Sequence, residues 1–174
     1  LARAGGALGV RVWTFDDLYA DILRSAGIVI TLLSDAVHTR LLRALADQAP
    51  LALYASVRTT PGFIQVLRDL IGELKAGGVF PEELLTAVAA MGNPPRLAEL
   101  AQLYAAYQER LRQDGWADYA GIGWLAVEAL DHRPEIAGAW PCVMVDGFDD
   151  LTTVQLRVLA GLAPRVEHLV ITLT

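Results

Sequence analysis

Only one cysteine, Cys142, occurs in the 174 residues. That excludes an internal disulfide and fits a reducing compartment, and its place in an apolar run predicts a packed thiol rather than a reactive one. Lysine is as scarce: thirteen of the fourteen basic residues are Arg, and Lys75 is the exception. No apolar run approaches the ~20 residues that span a bilayer, so no membrane partner is expected. The opening "LARAGGALGVRVW" has no methionine and lacks the charged end, apolar run and cleavage site of a signal peptide. A fragment of a longer cytoplasmic protein is therefore expected. The phosphate loop G-x-x-x-x-G-K-[ST] is missing, since "AGGALG" (4–9) has neither the lysine nor the following hydroxyl. His38, His132 and His168 match no metal-ligand spacing, and no G-x-S-x-G nucleophile elbow occurs.

What is present describes a globular chain: 54% of residues are apolar and 20% charged. The net charge of −6 argues against strong autonomous DNA binding, which depends on neutralising phosphates. The charge is uneven, at +1 over residues 1–78 and −7 over 79–174. "GVRVWTF" (9–15) alternates and reads as a strand, and "TFDD" reads as a capping box in which Thr14 and Asp17 start a helix. "GIVITLL" (27–33) fits a short strand or an extended approach. Ser34 or Asp35 caps a helix to about Ala46, with Val37, Leu41, Leu42 and Leu45 inward and His38, Arg40 and Arg43 on its polar sides. Further helices are expected after Thr60-Pro61, after Pro81, over 96–115 and after Asp118. Tyr104, Tyr107, Trp116, Tyr119 and Trp124 could stack on bases, but their helical spacing assigns them to core packing.

Near the end the period changes. "WPCVMVD" (140–146) reads as a buried strand, 152–163 as a helix and "HLVITLT" (168–174) as a second buried strand. Strand–helix–strand implies parallel pairing with a right-handed crossover. The expected class is α/β: a mostly parallel sheet holding strands near 10–14, 142–146 and 168–172, interrupted by a large helical insertion. The expected parts are 1–33 as the first part of the α/β domain, 34–130 as a helical insertion and helix pair, and 131–174 as a strand–helix–strand return to that domain.

"VMVDGFDD" (143–150) carries the chemistry. A carboxylate at the C-terminal end of a parallel strand lies where α/β folds bind ligands, and in nucleotide hydrolases it holds Mg²⁺. Asp146 has that place. Gly147 follows it, and glycine has no group to orient water. Asp149 and Asp150 have a simpler role ahead of a helix N-terminus. The simpler alternative for Asp146 is that it only caps nearby amides at the strand end.

Several pieces resemble superfamily 1 (UvrD/Rep-like) helicases, in family order. "VRVWTFDDLYADILRSAG" is similar to a segment reading v-x-T-F-H-x-f-x-x-x-i-L-r, matching at Thr14, Phe15, Ile22, Leu23 and Arg24. "LYAAYQERLRQDGWADYAGIGWLAVEAL" resembles Y-Q-x-x-L…D-F-x-D-L-L, matching at Tyr107, Gln108, Leu111, Asp118 and Tyr119, with Gly121 in place of the second Asp. "VMVDGFDDLTTVQLRVLAGLA" resembles v-D-E-F-Q-D-x-x-x-x-Q, where Asp146, Phe148, Asp150 and Gln155 match, Gly147 replaces Glu and Asp149 replaces Gln. The losses fall on catalytic positions while packing positions survive, a pattern that resembles the degenerate helicase domain of the AddB type of helicase–nuclease proteins in double-strand-break repair. The resemblance implies a P-loop-type fold and a non-hydrolysing scaffold role. It also implies weak DNA contact near Thr14 and Phe15 and a helicase–nuclease partner subunit. No cofactor is implied for these residues, with Mg-ATP, and Asp146 as its metal ligand, only if the parent protein still binds it. A phosphate loop would precede Leu1, and a nuclease domain would follow. An active helicase fragment and an unrelated helical interaction module are the competing readings.

Overall fold

The computed structural model describes residues 9–138 and 140–173. Among them are seven helices and four short strands, an α/β chain dominated by helix. The helices are α1 (Phe15–Ser25), α2 (Asp35–Gln48), α3 (Pro61–Ala76), α4 (Pro81–Ala90), α5 (Pro95–Asp114), α6 (Tyr119–His132) and α7 (Thr153–Leu162). The strands are β1 (Thr31–Leu32), β2 (Trp116–Ala117), β3 (Cys142–Phe148) and β4 (His168–Leu173).

The helix starts follow the chemistry of their caps. Thr14 Oγ1 accepts from the Asp17 amide at 3.2 Å while Asp17 accepts from the Thr14 amide at 2.9 Å, a complete capping box. Thr152 and Gln155 form a second such box at α7. Ser34, Thr60 and Asp118 cap α2, α3 and α6. α5 ends on Gly115 in the left-handed region, φ +63°, which glycine adopts without a Cβ penalty. The irregular stretch after α2 is held from α5, where the Glu99 carboxylate accepts from the amides of Ala52, Leu53 and Tyr54 at 2.8, 2.9 and 3.2 Å.

Two apolar clusters form the core. Leu18, Ile22 and Leu23 of α1 pack with Ala126 and Leu130 of α6 and Val158 and Leu162 of α7. Leu42 of α2, Ile64, Leu67 and Ile71 of α3 and Tyr104, Tyr107 and Leu111 of α5 form the other, joined by Trp124 and Val154. α6 therefore serves both. Gly123 permits this: a Cβ there would lie 2.7 Å from Val154 and 3.1 Å from the Tyr19 ring.

β3 and β4 pair in parallel across α7, as the alternation of strand and helix predicts, and β1 pairs in parallel with β2. The expected single sheet is not formed: there are two separate two-stranded sheets, and residues 10–14 lie in neither. A strand exists only where a ladder partner accepts its backbone groups, and none of the described strands does so here. Val12 is 93% exposed, and the segment is held by rings instead. Trp13 meets Trp140 edge-on at 5.6 Å, and Phe15 meets Phe148 edge-on at 5.1 Å.

The expected burial of β3 and β4 is also corrected. In β3 only Val145 is buried, Met144 is 69% exposed, and Cys142 is exposed rather than packed. A two-stranded sheet has no second layer on its outer face, so its apolar side chains meet solvent. α2 packs Leu41, Leu42 and Leu45 on the core as expected, and departs from expectation at Val37 and His38. His38, Leu42 and Ala46 point inward at i, i+4 and i+8, while Val37 is exposed. Of the five aromatic residues assigned to the core, Tyr104, Tyr107 and Trp124 are buried, Trp116 is half-buried and Tyr119 is exposed.

Candidate functional site

Asp146 lies within β3, exposed, two residues before the strand ends. The pairing with β4 becomes irregular between Val145 and Phe148, and Gly147 there has φ +78°. The Thr172 hydroxyl, from β4, donates to Asp146 Oδ1. Asp150 turns back to accept from the Leu151 amide at 2.8 Å, ahead of α7. The fold brings Phe15 onto Phe148, so Thr14 and Phe15 adjoin the strand end that carries Asp146 and Gly147, although the two segments are far apart in sequence. Thr14 is committed to its cap: its hydroxyl donates to Asp17 Oδ2 at 2.8 Å and accepts from the Asp17 amide. The Thr14 amide first, and then its hydroxyl, donate to the Asp17 carboxylate and hold it below its usual range.

The donor set at Asp146 is one carboxylate and one hydroxyl. Among the described residues no three His, Cys, Asp or Glu groups gather where they could hold a metal ion. Mg²⁺ asks for six oxygen ligands in near-octahedral order, so these residues do not make a magnesium site by themselves.

The densest polar geometry lies elsewhere, in a place that spacing alone does not mark. Lys75, near the end of α3, is wholly buried, at 0% exposure. Its Nζ donates to both oxygens of Asp118, at 2.9 and 2.8 Å. Asp118 Oδ2 also accepts from the Tyr107 hydroxyl at 2.7 Å, and Oδ1 from the Gly121 amide at 2.6 Å. The Lys75 ammonium lies 5.2 Å from the Tyr107 ring centre and 5.4 Å from that of Trp124, whose indole N–H donates to the Lys75 carbonyl at 2.8 Å. His38 stacks on Tyr107 at 5.2 Å.

Burial pushes the Lys75 amine below its ordinary range, and Asp118 opposes that shift. Burial works against the ionised Asp118, yet Lys75, Tyr107 and the Gly121 amide together hold it below the usual carboxylate range. Burial raises the Tyr107 hydroxyl and lowers His38, the latter partly offset by Asp118. With the Lys75 and Asp118 charges paired and Asp118 accepting four hydrogen bonds, the network joins α3, α5 and α6, while His38 Nε2 beside it has no hydrogen-bond partner in the protein.

Gly121 has a spatial reason. A Cβ there would stand 2.7 Å from Asp118 Oδ1 and 3.3 Å from Lys75 Nζ. The glycine in place of the helicase-like second Asp therefore makes room for the buried pair. The signals in sequence are the lone lysine and the Tyr107/Asp118 match, but nothing in the spacing connects them.

No helix among the described residues is long and apolar enough to cross a membrane. The chain is 28% identical to a subunit of the ATP-dependent helicase/deoxyribonuclease of Alkaliphilus oremlandii, over 97% of its own length and 15% of that protein's. It is 30% identical to the like-named subunit of a Thermoanaerobacter species, over 71% of the chain and 11% of the relative. It is also 34% identical to the ATP-dependent DNA helicase UvrD2 of Mycobacterium bovis, over 55% of the chain and 15% of the relative. The chain thus spans about 15% of the first of these relatives. A sequence model of the family described as "ADDB, N-terminal" matches residues 2–174, so the chain belongs to the AddB N-terminal family.

Proposed function

We propose that these residues are a helicase-like scaffold that does not hydrolyse nucleotide, within a helicase–nuclease subunit acting on DNA in double-strand-break repair. Membership of the AddB N-terminal family supports the setting. One observation carries the absence of hydrolysis. The strand end presents Asp146 followed by Gly147, at φ +78°, where a water-orienting carboxylate would be needed. The nearest acids in sequence, Asp149 and Asp150, lie beyond the end of β3, and Asp150 is turned onto the start of α7.

In this reading β3–α7–β4 is part of a P-loop-type sheet, α2 to α5 belong to an insertion within it, and the remaining strands come from the parent chain. Residues 1–33 are then the first part of the helicase-like α/β domain, 34–130 the helical insertion and helix pair, and 131–174 the return to that domain. DNA contact is weak and centred on Thr14 and Phe15, and a partner subunit completes the enzyme. Any Mg-ATP is bound with groups outside these residues. The similarity to a UvrD2 helicase favours one second reading, an active helicase segment.

The test uses full-length protein with any other ATPase site disabled, assayed with Mg²⁺ and single-stranded DNA. Turnover is expected to stay at background. DNA-stimulated hydrolysis that disappears on Asp146→Ala would establish the active-helicase reading instead.

A further inference from the structure

His38 stands on the first turn of α2 and is 8% exposed. Its ring lies nearly parallel to that of Tyr107, at 18°, and its Nε2 has no hydrogen-bond partner in the protein. A neutral ring tolerates this, because an unpaired nitrogen costs only its own desolvation. A protonated ring does not. Both nitrogens then carry N–H bonds. Whichever tautomer is present at neutral pH, Nε2 becomes a donor with nothing to accept from it, on a ring that now bears a buried charge.

The groups around the ring are already committed. On α2 itself, Asp35 is paired with Arg68 of α3. Asp118, at the start of α6, accepts from Lys75, from the Tyr107 hydroxyl of α5 and from the Gly121 amide. Lys75 and Arg68 are cations and oppose a third. Asp69 and Glu73 of α3 share with His38 a cavity of about 420 Å³, but both are exposed, where water and salt screen their fields. Tyr119 of α6 lines the same cavity, 55% exposed to solvent.

The far end of α2 is fastened differently. Leu42 and Ala46 are buried, and the stretch after the helix hangs on the Glu99 carboxylate. We propose that His38 is a proton-operated release for the start of α2: when its ring is protonated, residues 34–41 leave α3 and α5 and the cavity opens over the Lys75–Asp118 pair. Leu42, Ala46 and Glu99 keep the other end in place, so the change is a local opening and not a loss of the fold. Burial sets the sign. The closed form takes up the proton less readily than the open one, so closure is favoured above about pH 6.5 and is lost as pH falls below it, until the closed ring is itself protonated. The device needs neither DNA nor nucleotide.

The test is hydrogen exchange on full-length protein between about pH 5 and 7.5, corrected for the intrinsic effect of pH and read on peptic peptides. The amides of residues 38–42 bond back into the first turns of α2. Their protection should fall by up to tenfold per pH unit below about 6.5, the limit for one proton. α7 is the internal reference and should keep its protection. His38→Phe keeps a ring on Tyr107 and should abolish the pH dependence in α2. Arg68→Gln removes a cation that opposes the protonated ring and frees Asp35 to accept from it, so the acid loss should shrink. Protection at 38–42 that does not fall with pH, falls equally in α7, or falls as steeply in His38→Phe overturns the release. So does an acid loss in Arg68→Gln as large as in the parent.

Discussion

Lys75→Met tests the buried network most directly. Methionine nearly matches the lysine stem in length and tolerates an irregular apolar site. The substitution would leave the Asp118 carboxylate with the Tyr107 hydroxyl and the Gly121 amide but without its counter-charge, in a place where Asp118 is itself almost fully buried. Removing one partner of a buried pair costs about 3–5 kcal/mol, against a total of roughly 5–15 kcal/mol for a domain. At about 2–4 °C per kcal/mol for a chain of this size, the midpoint should fall by roughly 6–20 °C. Lys75→Met with Asp118→Asn removes both charges while keeping a cap of equal quality for α6. An uncharged pair of similar shape often restores stability, so the double variant should recover most of the loss. Urea denaturation followed by tryptophan fluorescence reads both, because Trp124 sits against Lys75. A single-variant loss below about 1 kcal/mol, the scale of an exposed pair, would refute the reasoning. So would a double variant as unstable as the single one.

His38 gives a pH dependence whose sign is fixed by burial. Its folded-state pKa lies below the ordinary histidine value, so the unfolded chain binds the proton more readily; the stability is present above about pH 6.5 and is lost as pH falls below it. His38→Phe keeps a ring on Tyr107 and should flatten that slope in denaturation curves between about pH 5 and 7. Gly147→Ala meets no atom within 4 Å but must hold φ +78°, so a loss of about 1–2 kcal/mol is expected from backbone conformation alone; Gly147→Asn should lose less. Gly147→Glu carries the same strain, so the familiar acidic pair cannot be restored without moving the bulge. Glu99→Ala frees three amides of the stretch after α2, and limited proteolysis should then cut within residues 50–58 much faster than in the parent.

Local chemistry makes most helices legible. Thr14-x-x-Asp17, Ser34, Thr60-Pro61 and Asp118 each satisfy amides that a helix start leaves without partners, and the structure uses all of them. β3 and β4 are legible for a similar reason: two β-branched runs flank one helix, and the crossover rule leaves parallel pairing as the answer. Residues 9–15 show where that reasoning stops. Their alternation is as strand-like as that of β3, but a strand is a property of a pair, and pattern cannot say whether a partner stands alongside. The burial of His38 on α2 escapes the pattern for a narrower reason. Residue type puts a histidine on the polar side, whereas this ring stacks on Tyr107 and is buried, with its Nε2 left without a hydrogen-bond partner in the protein.

The same distinction separates the two polar places in this chain. Asp146 is legible because its signal is contiguous: an apolar run, an acid and a turn. The conformation then adds what spacing could not, since Gly147, where the helicase-like pattern has an acid, has φ +78°, a backbone few side chains adopt without strain. Lys75 and Asp118 are 43 positions apart, and only the packing of α3 against α6 brings them together. Their partners explain residues that a helicase-like pattern leaves unexplained: a glycine where an acid is expected, and a lone lysine in an arginine-rich chain. An arginine at position 75 would bring a broader, planar head into a space already bounded by two aromatic rings and Gly121. The compact ammonium fits there, and Asp118 is thereby fixed as an interior anchor between helices rather than as a group free to meet a substrate.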